Sequence, residues 1–173
     1  MATVLLLSNV EHGTATRQFA SAAAAPELTH ALDLRGRDAI AAAETPGGDG
    51  FVAALYVPHH LLVVIRAQHP DAPRIREAIA AGRDHQVYHD LHDSANAAGK
   101  FFLYDAGADG ILTALPGSGA VDVLIESGVR QTRFNGDPER QALTASQYDE
   151  RLAAADAQYA RLLRILASAA RMR

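Results

Sequence analysis

The sequence predicts an α+β fold, in which a single twisted, mainly antiparallel sheet is built from hairpins, helices pack on one face and a long helix ends the chain. Apolar runs of strand length occur in pairs divided by short turns, as in hairpins. Such pairs outnumber strand–helix–strand alternations, which argues against a doubly wound parallel sheet. No repeat, linker or shift in composition divides the chain, so residues 1–173 are expected to form one domain.

The N-terminal part is predicted to contain a strand and two helices. Thr3–Ser8 is a short apolar run, typical of a buried strand. Thr14–Ala25 and Leu28–Glu44 are rich in alanine, the residue with the highest helix propensity, and both are predicted to be helical. The glycine-rich segment Thr45–Gly50 is predicted to be a loop.

The first predicted hairpin follows this loop. Its arms are Phe51–Val57 and Leu61–Arg66, and residues 58–60, which begin with a proline, form the turn. Both arms are apolar on both faces. Such strands are expected at the centre of a sheet that is covered on each side.

A short helix is predicted to follow this hairpin at Pro70–Ala81. Asp71 can cap its first turn, and proline is favoured at the first helical positions. Gly82 is a suitable residue to end the helix, because glycine adopts the left-handed conformation found just beyond many helix ends.

Two further hairpins are predicted after residue 99. The second pairs Lys100–Asp105 with Gly110–Ala114, and the third pairs Val121–Glu126 with Val129–Phe134. A two-residue turn in the third hairpin sets its register, which pairs Glu126 with Val129, Leu124 with Gln131, and Asp122 with Arg133. In that register one face is buried and the other carries an ion pair between Asp122 and Arg133. The residues predicted to be buried are Val121, Val123, Ile125 and Phe134.

The final helix is predicted from its cap and from its apolar stripe. Thr144 and Gln147 form a capping box. The stripe that follows has helical spacing. It consists of Tyr148, Leu152, Ala155, Tyr159, Leu162, Leu163 and Leu166. Because the three leucines widen the stripe, homodimerisation through this helix, or through an edge strand, is a further expectation.

Composition narrows the classes of partner and location. The net charge of −4 gives no reason to expect nucleic acid as a partner. The chain has no cysteine, which excludes disulfides and thiolate metal sites. No apolar run approaches the roughly 20 residues of a membrane span, and the N-terminus matches a signal peptide poorly. A cytoplasmic location is therefore expected.

The segment Asp84–Asp93 (DHQVYHDLHD) is the one place where metal-binding and proton-transferring groups cluster. In a helix, His85, His89 and His92 would lie on one face, and with Asp93 they could bind zinc or a similar divalent ion. In a strand, His85 and His89 would lie about 13 Å apart, too far for one ion. The preceding Gly82 and the Val-Tyr content favour the strand.

The leading hypothesis is a binding or interaction module without catalytic activity, for an unidentified small molecule or protein. It rests on a well-specified core and on the lack of any assembled catalytic motif in the sequence. No cofactor is expected under this hypothesis, and no catalytic residue is assigned. The alternative is a metal-dependent hydrolase or metal-binding protein that uses His85, His89, His92 and Asp93.

Overall fold

The computed structural model describes residues 19–36, 38–58, 61–94, 99–111, 121–126 and 130–172. These residues form four α-helices and six strands. The helices are α1 (Ala20–Asp33), α2 (Ala72–Ala80), α3 (Asp84–Asp93) and α4 (Ala145–Arg171). The strands are β1 (Ala39–Glu44), β2 (Phe51–Val57), β3 (Leu61–Ala67), β4 (Phe101–Ala106), β5 (Val123–Glu126) and β6 (Arg130–Arg133). The predicted strand Thr3–Ser8 lies outside the described residues.

All six strands belong to one antiparallel sheet, in the order β1-β2-β3-β4-β5-β6. Each strand therefore pairs with its neighbours in the chain. The predicted α+β class, the single antiparallel sheet and the long C-terminal helix are confirmed. None of the helices in the described part of the chain is both long enough and apolar enough to cross a bilayer.

Helices cover both faces of the sheet, whereas the sequence prediction placed them on one face. Helices α1 and α4 pack on one face, and α2 and α3 cover the other face over β1, β2 and β3. Successive side chains of β2 point to opposite faces of the sheet, so β2 contributes to both cores. Val52 and Ala54 face α1 and α4, while Phe51 and Ala53 face α2 and α3. The arms of the first hairpin are apolar on both faces, and this pattern predicts that the centre of the sheet is covered on both sides.

The segment Leu28–Glu44 is not one helix, and that prediction is wrong. Helix α1 ends at Asp33, Gly36 adopts a positive φ of 98°, and β1 begins at Ala39. Apart from proline, other residues differ from alanine in helix propensity by about 1 kcal/mol or less. Burial of the small side chains of β1 between two helical layers outweighs that preference.

Helix α1 is continuous where the sequence predicted two helices. It runs through Pro26, which cannot donate a backbone hydrogen bond. Tertiary contacts hold it instead. Leu28 and Leu32 are fully buried, and the carboxylate of Asp156 in α4 accepts the backbone N–H groups of Ala20 and Ser21 at 2.9 and 2.8 Å.

The predicted pairing of the second hairpin is wrong, whereas the third hairpin is present with a different register. β4 pairs with β5 rather than with Gly110–Ala114, of which only Gly110 and Ile111 are described and neither is in a strand. β5 and β6 pair Leu124 with Thr132 and Val123 with Arg133, one residue away from the predicted register. Such a slip exchanges the two faces of a strand.

The exchange of faces buries Asp122, which the sequence prediction placed in an exposed ion pair. Asp122 is 4% exposed, and its carboxylate accepts the N–H of Ala106 at 2.9 Å. Leu124 and Phe134 lie in the core on the same side. The predicted burial of Phe134 is therefore confirmed, whereas Val121, Val123 and Ile125 are only half-buried.

Side chains occupy backbone groups at both edges of the sheet. On β1, Asp84 accepts the N–H of Ala42 at 3.3 Å, and Arg35 donates to the carbonyl of Ile40 at 3.1 Å. On β6, the Gln141 amide accepts the N–H of Arg133 and donates to its carbonyl, both at 2.7 Å. These contacts occupy groups that an additional strand would need for pairing.

Candidate functional site

The segment Asp84–Asp93 is helix α3, so the prediction of a strand is wrong. Asp84, Val87, Tyr88 and Leu91 are buried at helical spacing, and α3 packs over β1, β2 and β3. Gly82 has a φ of 68°, which ends α2 and lets a new helix start almost at once. The strand propensity of valine and tyrosine is weak, and burial of this face outweighs it.

The helix brings two of the four predicted metal ligands together. The Nε2 atoms of His85 and His89 lie 3.3 Å apart on the exposed face of α3. His92 has a different environment. Its Nδ1 lies 3.0 Å from Asp93 Oδ1, and its ring stacks on the ring of Tyr88 with the two centroids 6.1 Å apart. Among the described residues, no three His, Asp or Glu side chains are grouped so that they could hold one ion.

The buried ring of Tyr88 packs against the rings of His89 and His92. Burial raises the pKa of Tyr88 to about 12, so its hydroxyl stays protonated at neutral pH. Its ring also lies nearly perpendicular to the ring of His89, with the two ring centroids 5.8 Å apart. Tyr88 therefore contacts the rings as an aromatic surface and not as a charged group. Two further histidines, His59 and His60 in the turn of the first hairpin, lie outside the described residues.

A second candidate site lies between α4 and the ends of the central strands, and we call it the arginine cleft. It consists of two adjoining cavities of about 220 and 280 Å³, both lined by Arg66 and Gln158. The smaller cavity is completed by Gln68, Gly99, Lys100, Phe101 and Glu126. The larger one is completed by Thr45, Asp49, Arg161 and Leu162.

The positions of the strands explain why these residues meet. Arg66 is at the end of β3 on the α4 side, Phe101 is at the start of β4, and Glu126, opposite Phe101, ends β5. Gln158 and Arg161 flank the buried stripe of α4, one helical turn apart. The cleft therefore combines residues from distant parts of the chain.

Positive charge in the arginine cleft is only partly neutralised. Arg66 Nη2 lies 3.3 Å from Asp49 Oδ2. The Thr45 hydroxyl, which donates to Asp49, is the main cause that holds the pKa of Asp49 below its ordinary value, and Arg66 adds to this effect. Within the described part of the chain, Arg161 and Gln158 have no hydrogen-bond or ion-pair partner. Their polar groups are free to meet a ligand.

A third polar cluster lies in the core between β4 and α4. Asp105 is fully buried, and it accepts the Tyr159 hydroxyl at 2.7 Å and the N–H groups of Gly110 and Asp109 at 2.9 and 3.1 Å. Burial raises the pKa of Asp105, against the opposing effect of these donors. Burial, together with this carboxylate, raises the pKa of Tyr159 well above its ordinary value. Because Asp105 accepts two N–H groups of the turn after β4, the cluster anchors that turn. Neither Asp105 nor Tyr159 lines the arginine cleft.

Sequence reasoning missed both the arginine cleft and the buried carboxylate. For Asp105 there was a signal, because Phe101, Leu103 and Asp105 alternate on the inward face of β4. The sequence contains no comparable signal for the arginine cleft. Arg66 and Arg161 lie 95 positions apart in the chain, and only the packing of α4 on the sheet brings them together. Comparison of the chain with protein-family models, curated proteins and solved structures finds no match.

Proposed function

We propose that the protein is a binding module without catalytic activity, and that its ligand is a small molecule with an anionic group held in the arginine cleft. The observation that carries the proposal is the pair formed by Arg161 and Gln158, which face a cavity that Arg66 also lines and which have no partner among the described residues. A guanidinium group presents a planar set of donors that matches a carboxylate or a phosphate.

The dimensions and the lining of the cleft support a small ligand. The cavities, at about 220 and 280 Å³, each lie just below the range of small-molecule sites, which is about 300–1,000 Å³, so a ligand of that class would occupy both. Phe101 and Leu162, which are only 4% and 2% exposed, form the apolar part of the wall, and Gln68 and Gln158 provide amides that can orient polar groups. Of the described residues that line the cleft, none is a histidine, and the Thr45 hydroxyl already donates to Asp49. This lining favours binding over catalysis.

Thermal unfolding in citrate or inorganic phosphate tests the proposal. We expect about 10 mM citrate, at constant ionic strength, to raise the Tm of the wild-type chain through preferential binding to the folded state. In an Arg161→Gln variant the rise should be about 2–4 °C smaller, which corresponds to roughly 1 kcal/mol for a chain of this size.

The matched control is Arg164→Gln. Arg164 lies one turn further along α4, is exposed and does not line the cleft. Both anions also stabilise proteins generally by exclusion from their surfaces, and that effect acts equally on all three proteins. An equal response of the wild-type protein, Arg161→Gln and Arg164→Gln would therefore contradict the proposal.

A further inference from the structure

We propose that His85 and His89 form a bidentate site for a single divalent transition-metal ion on the surface of α3. This site is separate from the arginine cleft and does not depend on it. It also differs from the four-ligand site that the sequence suggested, because His92 and Asp93 contact each other and do not converge on the pair.

The distance between the two nitrogens fits a shared metal ion. Zinc binds imidazole nitrogen at about 2.0–2.1 Å with tetrahedral angles, which places two nitrogen ligands roughly 3.3–3.4 Å apart. The Nε2 atoms of His85 and His89 lie 3.3 Å apart. Both side chains are exposed, so water can complete the coordination shell.

The backbone below the pair is held in place. Val87 and Leu91, on the opposite face of α3, are fully buried against the sheet. The His89 ring makes an edge contact with the ring of Tyr88, which is itself buried. Because the helix does not need to form or to move when the ion binds, little ordering of the backbone opposes binding.

The simpler interpretation is that the rings share only an N–H···N hydrogen bond. Two neutral imidazoles satisfy the same 3.3 Å distance if one donates through Nε2 and the other accepts. The two interpretations differ in one measurable property. A hydrogen-bonded pair needs no metal, whereas a chelating pair binds an ion more tightly than either histidine alone, because the second bond forms within the same molecule.

Calorimetric titration of the untagged protein with Zn²⁺, and then with Cu²⁺, distinguishes the two. We expect an ion bound at one equivalent per chain, with affinity reduced about tenfold or more in His85→Ala and in His89→Ala. Cu²⁺ should bind more tightly than Zn²⁺, as imidazole sites generally do. His92→Ala is the matched control, since this residue is on the same helix outside the pair, and the variant should bind like the wild-type protein.

Far-ultraviolet circular dichroism of each variant establishes that the helix is intact, as expected for substitutions of exposed residues. Saturating Zn²⁺ should also raise the Tm of the wild-type protein and of His92→Ala, but not of the other two variants. No binding to the wild-type protein would overturn the proposal. Equal binding by all four proteins would overturn it as well, because it would place the ion at other histidines.

Discussion

Among the glycines whose surroundings the structure describes, Gly110 is the one at which the packing leaves the least room for a side chain. Its φ is 94°, and a Cβ atom added to it would lie 2.4 Å from the backbone nitrogen of Ala22 in α1. The N–H of Gly110 also donates to Asp105. The contact thus fixes the turn after β4 directly against α1, and neither side can shift easily because both are backbone.

We expect Gly110→Ala to lower the free energy of unfolding by more than about 4 kcal/mol, because backbone strain and a steric clash act together. Gly47→Ala is the control. Gly47 has a similar φ of 98°, but an added Cβ would meet nothing within 4 Å, so only strain of about 1–3 kcal/mol is expected. Urea unfolding followed by circular dichroism measures both. Similar losses in the two variants would show that the contact with α1 is not tight.

The buried pair of Asp105 and Tyr159 makes stability depend on pH. Because the pKa of Asp105 is raised in the folded protein, the folded state binds more protons than the unfolded chain between the ordinary pKa and the raised one. The free energy of unfolding therefore falls as pH rises through that interval. The Tyr159 hydroxyl limits this loss, because it donates to the ionised carboxylate.

We expect Tyr159→Phe to destabilise the fold by about 1–3 kcal/mol at neutral pH. The loss should be smaller near pH 4, where less of Asp105 is ionised and the missing donor matters less. Tyr148→Phe is the control on the same helix, because the Tyr148 hydroxyl accepts the N–H of Gly136 and has no such bond to a carboxylate. Urea unfolding at both pH values measures the difference. A Tyr159→Phe loss that does not change with pH would contradict this account of Asp105.

At the scale of elements, Gln141 is the side chain that, among the described residues, bonds to the backbone at the outer edge of β6. Gln141 bonds to both backbone groups of Arg133 in the way that a neighbouring strand would. We expect Gln141→Ala to lower the free energy of unfolding by about 1–2 kcal/mol, since both hydrogen bonds to Arg133 are lost, together with the longer bonds from the same amide to Asn135 and to the carbonyl of Asp137. Self-association should also increase, because the edge becomes available for pairing.

Urea unfolding and light scattering measure these two effects. The control is Gln131→Ala on β6 itself, since the side chain of Gln131 is exposed and has no hydrogen bond to another described residue. Equal changes in both variants would show that loss of a glutamine from this edge strand, and not loss of the bonds to Arg133, is responsible.

Elements with strong local signals could be predicted from the sequence. The capping box of Thr144 and Gln147 is present at the start of α4. The predicted cap at Asp71 is present as well, because its carboxylate accepts the N–H of Arg74 at 3.2 Å. The first hairpin has its predicted arms, with β3 one residue longer. In each case neighbouring residues supply the determining contacts.

Elements whose conformation depends on distant packing could not be predicted. The alanines of β1 are strand because β2 lies beside them, and α3 is helix because its buried face fits the sheet. The register of β5 and β6 follows the burial of Leu124 and Thr132. These contacts join residues far apart in the chain, and local propensities of less than about 1 kcal/mol do not encode them.

At the scale of the whole molecule, the fold class was easier to predict from the sequence than the candidate sites were. Alternating apolar runs and a long amphipathic helix are enough to indicate an α+β sheet. The arginine cleft requires the packing of α4 on the strand ends, and the histidine pair requires the helical state of α3. The leucines that suggested a dimer through α4, Leu162, Leu163 and Leu166, are buried within the chain itself.

The contact of Asp156 with the first turn of α1 has a consequence for the order in which the protein can fold during translation. The amides that it accepts belong to residues 135 and 136 positions earlier. A ribosome therefore completes all six strands before it delivers the helix that fixes the start of α1. Until then one side of the nascent sheet keeps its apolar surface, and such surface is what chaperones shield from aggregation.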